Sequence, residues 1–360
     1  MAELAFMDGN TAIARGAIAA GCRYFFGYPI TPQNEIPEYM SRELPKLGGA
    51  YVQSECETAS IYMVYGGAAA GARVMTSTSS CGFSLMQEGI SYILEARMPA
   101  VIAHVMRMGP GIGTGGQQGQ ADYLQVTKGG GHGGYRCISL AASSVQECYD
   151  FMQLAFYLAD LYRILVIVVA DFLIVRMAEP VEIKKLEFGP LPEKDWALKG
   201  KDKKGGLRSM YISGVAMSPP AYHTQLAETL KTIKEKEIRY ETYRDEDADI
   251  LVVAYGSSAR LAKKAVDMAR EEGIRAGVLR PITLWPFPEE AIRQKASQVK
   301  KMLVVEDGPE QMIEDVRGAV QGKVPVSFVG VWDRYTPPGL TGGGSGIVYP
   351  EKILEKMRGL

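Results

Sequence analysis

Residues 137–170 read CISLAASSVQECYDFMQLAFYLADLYRILVIVVA. The apolar runs at the two ends of this stretch, Cys137–Leu140 and Ile164–Ala170, have the length and composition of strands buried on both faces. Between them, Ser144 and Glu147 form a capping box, which is a typical helix start. The stretch therefore predicts a βαβ unit and, with it, a parallel sheet covered by helices.

The same alternation of strands and helices extends toward the N-terminus. Strands are predicted at residues 23–28, 51–54, 73–78 and 99–106, and helices at residues 11–20, 57–72 and 83–96. Asn10 stands before the first of these helices as a candidate N-cap. We expect residues 1–178 to form one α/β domain around a mostly parallel sheet.

The alternation stops at residue 179 and resumes after residue 245. Residues 179–245 are rich in charge, glycine and proline, apart from one charged helix predicted at 222–238, and we interpret them as an excursion and linker. Beyond them, strands are predicted at residues 251–255, 276–279 and 301–306, and helices at residues 258–272 and 288–298. We expect residues 246–360 to form a second, smaller α/β domain.

Composition excludes several classes of protein. The formal net charge of the 360 residues is −1 and the sequence pI is about 6.4, so no strong electrostatic field attracts nucleic acid or an anionic membrane. The five cysteines include no Cys-x-x-Cys pair, which argues against an iron–sulfur cluster on this chain and favours a reducing compartment. No signal peptide or membrane span is evident, and we expect a cytoplasmic protein.

Two glycine-rich segments admit more than one interpretation. Gly111–Gly116 matches the pattern G-x-G-x-x-G after a predicted strand, which is one requirement of a nicotinamide-dinucleotide site, but no apolar helix follows it. It is otherwise a surface loop or an active-site loop that approaches a ligand closely. Gly129–Gly134, which contains His132, is either a solvated loop or a contact for a partner or substrate.

Several segments, in the same order along the chain, carry a resemblance to a known family. Residues 27–38, 55–60, 75–80, 106–110 and 143–147 resemble the N-terminal domain of 2-oxoacid:ferredoxin oxidoreductases. Residues 280–288, which read RPITLWPFP, are similar to the C-terminal domain that this family shares with transketolase-like enzymes. The resemblance implies a pyrimidine-binding, parallel-sheet domain of the thiamine-diphosphate-binding type, followed by a transketolase-C-terminal-like α/β domain.

The resemblance also implies an activity. The family decarboxylates a 2-oxoacid oxidatively, forms an acyl-coenzyme A and carbon dioxide, and passes two electrons to ferredoxin. Thiamine diphosphate lies between two subunits, and a Gly-Asp-Gly…Asn motif on the beta subunit holds Mg²⁺ and the diphosphate. This chain lacks that motif, so the resemblance makes it the alpha-type subunit, active only with its partners. The implied partners are the beta subunit, a gamma subunit, a ferredoxin-like iron–sulfur subunit and external ferredoxin.

The family supplies a glutamate to the aminopyrimidine ring of thiamine, where a carboxyl group near N1′ stabilises the imino tautomer. Glu57 aligns best with this catalytic residue, and Glu55 is the rival. Either glutamate would otherwise only favour a helix N-terminus electrostatically. Pro29 and Ile30 match positions that line the cofactor pocket.

Two further residues match substrate-binding positions of the family. Arg107 follows an apolar strand, and its planar guanidinium suits the carboxylate of a 2-oxoacid. Thr31 matches a threonine that binds substrate, and it is also placed to cap a helix that Pro32 would open.

The substrate type rests on finer matches. Residues 28–40 and 107–113 look most like the branched-chain, 3-methyl-2-oxobutanoate type, and no basic residue beside Arg107 is evident to hold a second carboxylate. The alternatives are 2-oxoglutarate or another 2-oxoacid as substrate, a free-standing NAD-dependent oxidoreductase, and a non-catalytic scaffold of the same fold.

Overall fold

The computed structural model describes residues 3–113, 115–200, 219–330 and 347–360. The strands within these ranges are β1 (Glu3–Asp8), β2 (Tyr24–Gly27), β3 (Ala50–Gln53), β4 (Val74–Ser79), β5 (Ala100–Met106), β6 (Ile138–Ala141), β7 (Leu165–Asp171), β8 (Ala178–Ile183), β9 (Tyr240–Tyr243), β10 (Ile250–Ala254), β11 (Ala276–Pro281), β12 (Thr283–Trp285), β13 (Lys301–Glu306) and β14 (Val326–Gly330).

The α-helices in the same ranges are α1 (Gly9–Ala19), α2 (Glu35–Glu43), α3 (Glu57–Ala69), α4 (Ser80–Glu95), α5 (Tyr123–Lys128), α6 (Val145–Tyr162), α7 (Phe172–Arg176), α8 (Pro219–Lys236), α9 (Gly256–Glu271), α10 (Glu289–Ala296), α11 (Met312–Val320) and α12 (Pro350–Arg358). A 3₁₀ turn, Pro45–Leu47, follows α2.

The larger sheet has the order β12-β6-β7-β5-β4-β2-β3, and all of its pairs are parallel except β12 with β6. The predicted βαβ unit is confirmed, because β6 and β7 pair in parallel and α6 connects them. The helix begins where predicted: the Glu147 amide donates to Ser144 Oγ at 3.1 Å. The predicted parallel-sheet fold is therefore confirmed.

The side on which successive strands are added to the sheet changes at β2, which lies between β3 and β4. The connection from β3 passes over β2 to reach β4 on its other side. The next strand, β5, is then added beyond β4. Such a switch point opens a crevice at the carboxyl ends of the strands, where open α/β sheets bind their ligands. The loops after β2, β3, β4 and β5 meet at this edge.

The predicted N-cap of the first helix is wrong. Asp8 caps α1, because its Oδ1 accepts the Thr11 amide at 2.7 Å. Asn10 lies inside the helix, is fully buried, and donates from Nδ2 to the Pro32 carbonyl at 2.8 Å and to Glu35 Oε2 at 2.7 Å. It therefore holds the loop between β2 and α2 rather than the helix end.

The smaller sheet has the order β14-β13-β10-β11-β9, with β9 antiparallel to β11 and the other pairs parallel. Alternate residues of β10 face different cores. Leu251 and Val253 belong to the apolar core that is continuous with the first domain, whereas Val252 and Ala254 pack with α9 and α12. The two sheets thus share one core rather than meeting across a wet cleft.

Segments also cross between the two sheets. Residues 179–245, predicted as an excursion and linker, contribute β9 to the smaller sheet and most of β8, which pairs with β1. Thr283–Trp285 leaves the second domain to pair with β6 of the larger sheet. Nearby, the buried Arg280 donates from Nη2 to Glu147 Oε2 at 2.6 Å. The segment 280–288 therefore joins the two halves of the chain.

Buried polar groups add a second connection between the domains. Gln118 Nε2 donates to Asp307 Oδ2 at 2.8 Å, and Gln120 Nε2 donates to the Tyr255 carbonyl at 3.1 Å. Burial, together with the nearby charge of Asp171, raises the pKa of Asp307 to about 7. The loop that carries Gln118 and Gln120 is thereby fixed to the second domain.

Within the described ranges, no helix combines the length and apolar character needed to cross a bilayer.

Candidate active site

Arg107 is a buried cation at the carboxyl end of β5. Its Nη1 donates to the Thr31 carbonyl and its Nη2 to the Ile112 carbonyl, both at 2.8 Å. Its Nε has no partner, and no carboxylate of the described residues lies within ion-pair distance of the guanidinium. A buried positive charge without a carboxylate partner is costly, so the arrangement favours an anion that arrives from outside the chain.

Glycines shape the loop that follows Arg107. Gly113 has a positive φ of 60°, and a Cβ on it would lie 1.8 Å from the Met108 carbonyl oxygen. A Cβ on Gly119 would lie 2.4 Å from the Met108 amide nitrogen. The loop therefore folds back onto the strand end, which only glycine permits. In the described residues the next helix begins at Tyr123, so the glycines do not open a helix as a dinucleotide site requires.

The loop after β2 faces the same guanidinium. Thr31 is exposed, and its hydroxyl makes no hydrogen bond within the described residues. The predicted helix cap is wrong, because α2 begins only at Glu35 and its N-cap residue is Asn34. In this loop, Pro29 is exposed and Ile30 is half-buried. The structure thus brings Thr31 to Arg107 and leaves the threonine hydroxyl open to a ligand.

Glu57 is the first residue of α3 and is buried, with 5% of its surface exposed. Glu55, two residues earlier, is exposed. The Glu57 carboxylate makes no hydrogen bond or ion pair within the described residues. Nearby, the buried hydroxyl of Thr78 also has no partner. A buried carboxylate without a donor is available to a donor from a bound ligand.

The first turn of α4 contacts both charged groups. A Cβ on Gly82 would lie 2.6 Å from Glu57 Oε1 and 2.4 Å from Thr78 Oγ1, so the glycine makes room for the carboxylate. The preceding residue, Cys81, has its Sγ 2.8 Å from Arg107 Nη2. The carboxylate and the guanidinium are therefore positioned by neighbouring residues of one helix.

A buried polar cluster supports this turn. Ser80 has a φ of 26°, a conformation that side-chain-bearing residues rarely adopt. Its Oγ donates to Asp122 Oδ2 at 2.6 Å and accepts the Arg107 amide at 3.3 Å. His104 Nε2 lies 3.1 Å from the same Asp122 oxygen. Sequence analysis did not assign a role to this cluster, because its members come from distant segments that show no shared local pattern.

Large apolar side chains are exposed on the two helices that begin at the site, α3 and α4. Tyr62 of α3 and Leu85 and Tyr92 of α4 are exposed, and the rings of Tyr62 and Tyr92 lie 6.1 Å apart. Leu85 and Tyr92 are seven residues apart and share one face of their helix. Large exposed apolar side chains beside a site are typical of a surface that another protein covers.

The residues present fit one half of a thiamine diphosphate site. Glu57 offers a buried, unpartnered carboxylate for the ring. Within the described residues, no group of three potential metal ligands exists that would hold Mg²⁺ and a diphosphate. The described residues at this edge therefore fit the ring of the cofactor.

The second glycine-rich segment lies elsewhere. His132 is exposed and lines a cavity of about 350 Å³, together with Glu88, Tyr222 and His223. Tyr135 closes the loop, because its hydroxyl accepts the Gly130 and Gly131 amides at 3.2 and 3.1 Å. These contacts order the segment, and none of them involves Glu57 or Arg107.

Relatives of known activity resemble the chain over most of its length. The ketoisovalerate oxidoreductase subunit VorB of Methanothermobacter marburgensis is 49% identical, over 87% of this chain and 89% of the relative. The 2-oxoglutarate synthase subunit KorA of the same organism is 38% identical over the whole of both chains.

Solved structures show the same relationship. A 2-oxoglutarate:ferredoxin oxidoreductase from Magnetococcus marinus, with 2-oxoglutarate, coenzyme A and succinyl-CoA bound, superimposes with a TM-score of 0.83 at 25% identity. The match covers 99% of this chain and 65% of that one. A split-gene transketolase shares the fold, with a TM-score of 0.57 at 11% identity over 98% of this chain and 97% of the other.

Family models cover both halves of the chain. The model described as pyruvate flavodoxin/ferredoxin oxidoreductase, thiamine diphosphate-binding, matches residues 15–245. The model described as pyruvate:ferredoxin oxidoreductase core domain II matches residues 248–335. The chain therefore belongs to the pyruvate flavodoxin/ferredoxin oxidoreductase family, as an alpha-type subunit of a 2-oxoacid:ferredoxin oxidoreductase.

Proposed function

We propose that this chain binds the aminopyrimidine ring of thiamine diphosphate through Glu57, in a complex that oxidatively decarboxylates 3-methyl-2-oxobutanoate with coenzyme A. The observation that carries the proposal is the presence, at one sheet edge, of two buried charged groups that each lack a charged partner. Glu57 is buried without a donor, and Arg107 is buried without a carboxylate. Each lacks the partner that a bound cofactor or substrate would supply.

In this proposal Glu57 is the catalytic residue. Thiamine diphosphate, when bound, supplies the electron sink for decarboxylation. The Glu57 carboxyl holds the proton at the N1′ atom of the ring, where burial keeps water from competing for the contact. The exposed Glu55 lacks this shielding, which supports Glu57 over its rival.

Arg107 and Thr31 bind the substrate carboxylate in this proposal. The guanidinium provides a charge-assisted contact, and the Thr31 hydroxyl adds a neutral donor from the facing loop. The Thr31 and Ile112 carbonyls hold the guanidinium in one orientation, so little side-chain freedom is lost when substrate binds. Pro29 and Ile30 line the cofactor pocket from the loop that carries Thr31.

The branched-chain substrate is supported by what surrounds Arg107. Residues 105–122 contain no lysine or arginine other than Arg107, so this segment offers no second cation for the distal carboxylate of 2-oxoglutarate. Ile112, on the loop bound to Arg107, is 80% exposed and offers an apolar contact. The ketoisovalerate relative is also more similar to this chain than the 2-oxoglutarate relative.

Partner subunits complete the enzyme. The beta subunit carries Mg²⁺ and the diphosphate motif, the gamma and ferredoxin-like subunits join it, and iron–sulfur clusters on the partners pass electrons to external ferredoxin. The exposed Tyr62 and Leu85, on the two helices that begin at Glu57 and Ser80, support a subunit contact at this face. The near-neutral net charge and the absence of a Cys-x-x-Cys pair are consistent with a cytoplasmic enzyme whose clusters lie on other chains.

A pair of matched variants tests the site. We expect Glu57→Gln in the reconstituted complex to lower kcat on the order of a hundredfold or more, because the amide cannot exchange a proton with the ring. Glu55→Gln, two residues away and exposed, is expected to retain wild-type turnover. Coenzyme-A-dependent dye reduction measures both. Unchanged turnover of the Glu57 variant, or full turnover by this chain without partners, would contradict the proposal.

A substrate survey tests the specificity separately. With the wild-type complex, kcat/KM for 3-methyl-2-oxobutanoate is expected to exceed that for 2-oxoglutarate. If 2-oxoglutarate is the better substrate, the branched-chain assignment is wrong, and the role of Glu57 is unaffected.

A further inference from the structure

Cys81 occupies an unusual position beside the proposed substrate arginine. It is the second residue of α4, is half-buried, and has its Sγ 2.8 Å from Arg107 Nη2. The N-terminus of this 16-residue helix adds a partial positive charge to that of the guanidinium. The sulfur therefore lies in a local positive field at the open edge of the site.

A second observation makes this point suitable for an anion. Arg107 is 5% exposed, its Nε has no partner, and no described carboxylate neutralises it. An anion attracted to this guanidinium comes within reach of the thiol, because the two groups are in contact. A guanidinium that suits a carboxylate is thus in contact with a sulfur that can act as a nucleophile.

The other cysteines lack this combination. Cys22, Cys137 and Cys148 are buried, and burial raises the pKa of each thiol, to about 12 for Cys22. Cys56 is half-buried like Cys81, but it stands between Glu55 and Glu57 rather than beside a cation. Cys56 is therefore a matched internal control for Cys81.

We propose that Cys81 is a covalent modification site for small electrophiles that carry a carboxylate, with Arg107 directing them to the sulfur. This rests in part on the proposed function, because the same guanidinium binds the 2-oxoacid. With iodoacetate, the sulfur attacks the methylene carbon, a carbon–sulfur bond forms, and iodide leaves with the electron pair of the carbon–iodine bond. The thiol proton passes to solvent. The attached carboxylate remains on Arg107 and excludes substrate.

Two reagents of the same reactivity class but different charge test the proposal. The assembled complex is treated with iodoacetate, which is anionic, or with iodoacetamide, which is neutral, and each cysteine is quantified by peptide mass spectrometry. We expect iodoacetate to label Cys81 on the order of tenfold faster than iodoacetamide, because the positive site concentrates the anion. Cys56 is expected to prefer the neutral reagent. The same preference for iodoacetamide at Cys81, or no labelling there, would overturn the proposal.

The Arg107→Gln variant isolates the directing charge. The iodoacetate preference at Cys81 is expected to disappear in this variant, while the Cys56 labelling rate stays unchanged and reports an intact fold. If the variant does not assemble, protection in the wild-type complex decides: sodium acetate at increasing concentration should slow iodoacetate labelling of Cys81 alone. A preference that survives loss of Arg107, or no acetate protection, would refute the proposal.

Whether a 2-oxoacid protects Cys81 from iodoacetate distinguishes a failure of this inference from a failure of the proposed function. If 3-methyl-2-oxobutanoate also protects Cys81, the anion site and the substrate site coincide. If acetate protects and no 2-oxoacid does, Cys81 remains an anion-directed modification site, and the substrate role of Arg107 is wrong.

Discussion

The Glu57 carboxylate and the Arg107 guanidinium both reach the first turn of α4, at Gly82 and Cys81, without forming an ion pair with each other. A direct ion pair would neutralise both groups and leave neither free for a ligand. The backbone of α4 instead keeps them apart, so each stays available to a ligand.

This arrangement predicts that Gly82→Ala abolishes most activity. The added methyl group would lie 2.6 Å from Glu57 Oε1 and must displace the carboxylate. We expect kcat to fall roughly a hundredfold, as small misplacements of catalytic groups do, while the complex still assembles. The control is Gly318→Ala, a helical glycine with nothing within 4 Å of the added Cβ. Equal turnover of both variants would mean that the Glu57 position does not matter.

Replacing the proposed substrate arginine should affect binding more than chemistry. Arg107→Lys keeps the charge but loses the planar fork that the Thr31 and Ile112 carbonyls orient. We expect KM for the 2-oxoacid to rise on the order of tenfold to a hundredfold, with a smaller change in kcat. Arg176→Lys, at an exposed arginine paired with Glu35, is the control and should leave KM unchanged. A fall in kcat at constant KM would assign Arg107 to a different role.

The buried arginine of the second domain should be a strong determinant of stability. Arg280 donates to Glu147 at 2.6 Å and to Glu241 at 3.2 Å while 1% exposed. Arg280→Met leaves these half-buried carboxylates without their shared cation, while Lys263 stays paired with Glu241, and the loss of the charged hydrogen bonds should cost about 1.5–3 kcal/mol. The control, Arg275→Met, breaks an exposed pair with Asp249 and should leave the free energy of unfolding nearly unchanged. Denaturant unfolding measures both, and similar losses would contradict the difference.

The contact between domains should depend on pH through Asp307. Its pKa is raised to about 7 from an ordinary 3.8, so the folded protein holds a proton that the unfolded chain releases. The stability it contributes is complete below about pH 4 and is lost as the pH rises through 7. Thermal unfolding should therefore show that Asp307→Asn gains stability relative to wild type between pH 5 and 8.

The exposed Asp249→Asn is the control for this measurement. The pKa of Asp249 is lowered by its hydrogen bond from Arg275, so that variant should gain nothing over the same range. A constant difference between Asp307→Asn and wild type from pH 5 to 8 would show that Asp307 does not titrate there.

Elements with local signals were predictable from the sequence. Ser144 and Glu147 lie three residues apart in the chain, and the contact they predict forms within one helical turn. The strand-and-helix alternation predicted the parallel sheet for the same reason. Glu57 was preferred over Glu55 by resemblance, and the structure adds a physical reason: only Glu57 begins the helix and is buried.

Contacts between distant segments were not predictable in this way. Nothing in Thr283–Trp285 indicates that it joins the sheet of the other domain, because a three-residue strand carries no information about its partner. Asn10 looked like a helix cap, but long-range contacts to Pro32 and Glu35 determine its role. The proximity of Cys81 to Arg107 likewise depends on the order of β4 and β5 in the sheet.

The antiparallel pairing of Thr283–Trp285 with β6 limits where the chain can be divided into fragments that stay folded. Family boundaries fall near residue 245, yet a fragment ending there would lose this strand and bare the backbone of β6. Bare sheet edges recruit strands from other molecules and lead to aggregation. A fragment ending near residue 245 is therefore expected to aggregate through the exposed edge of β6.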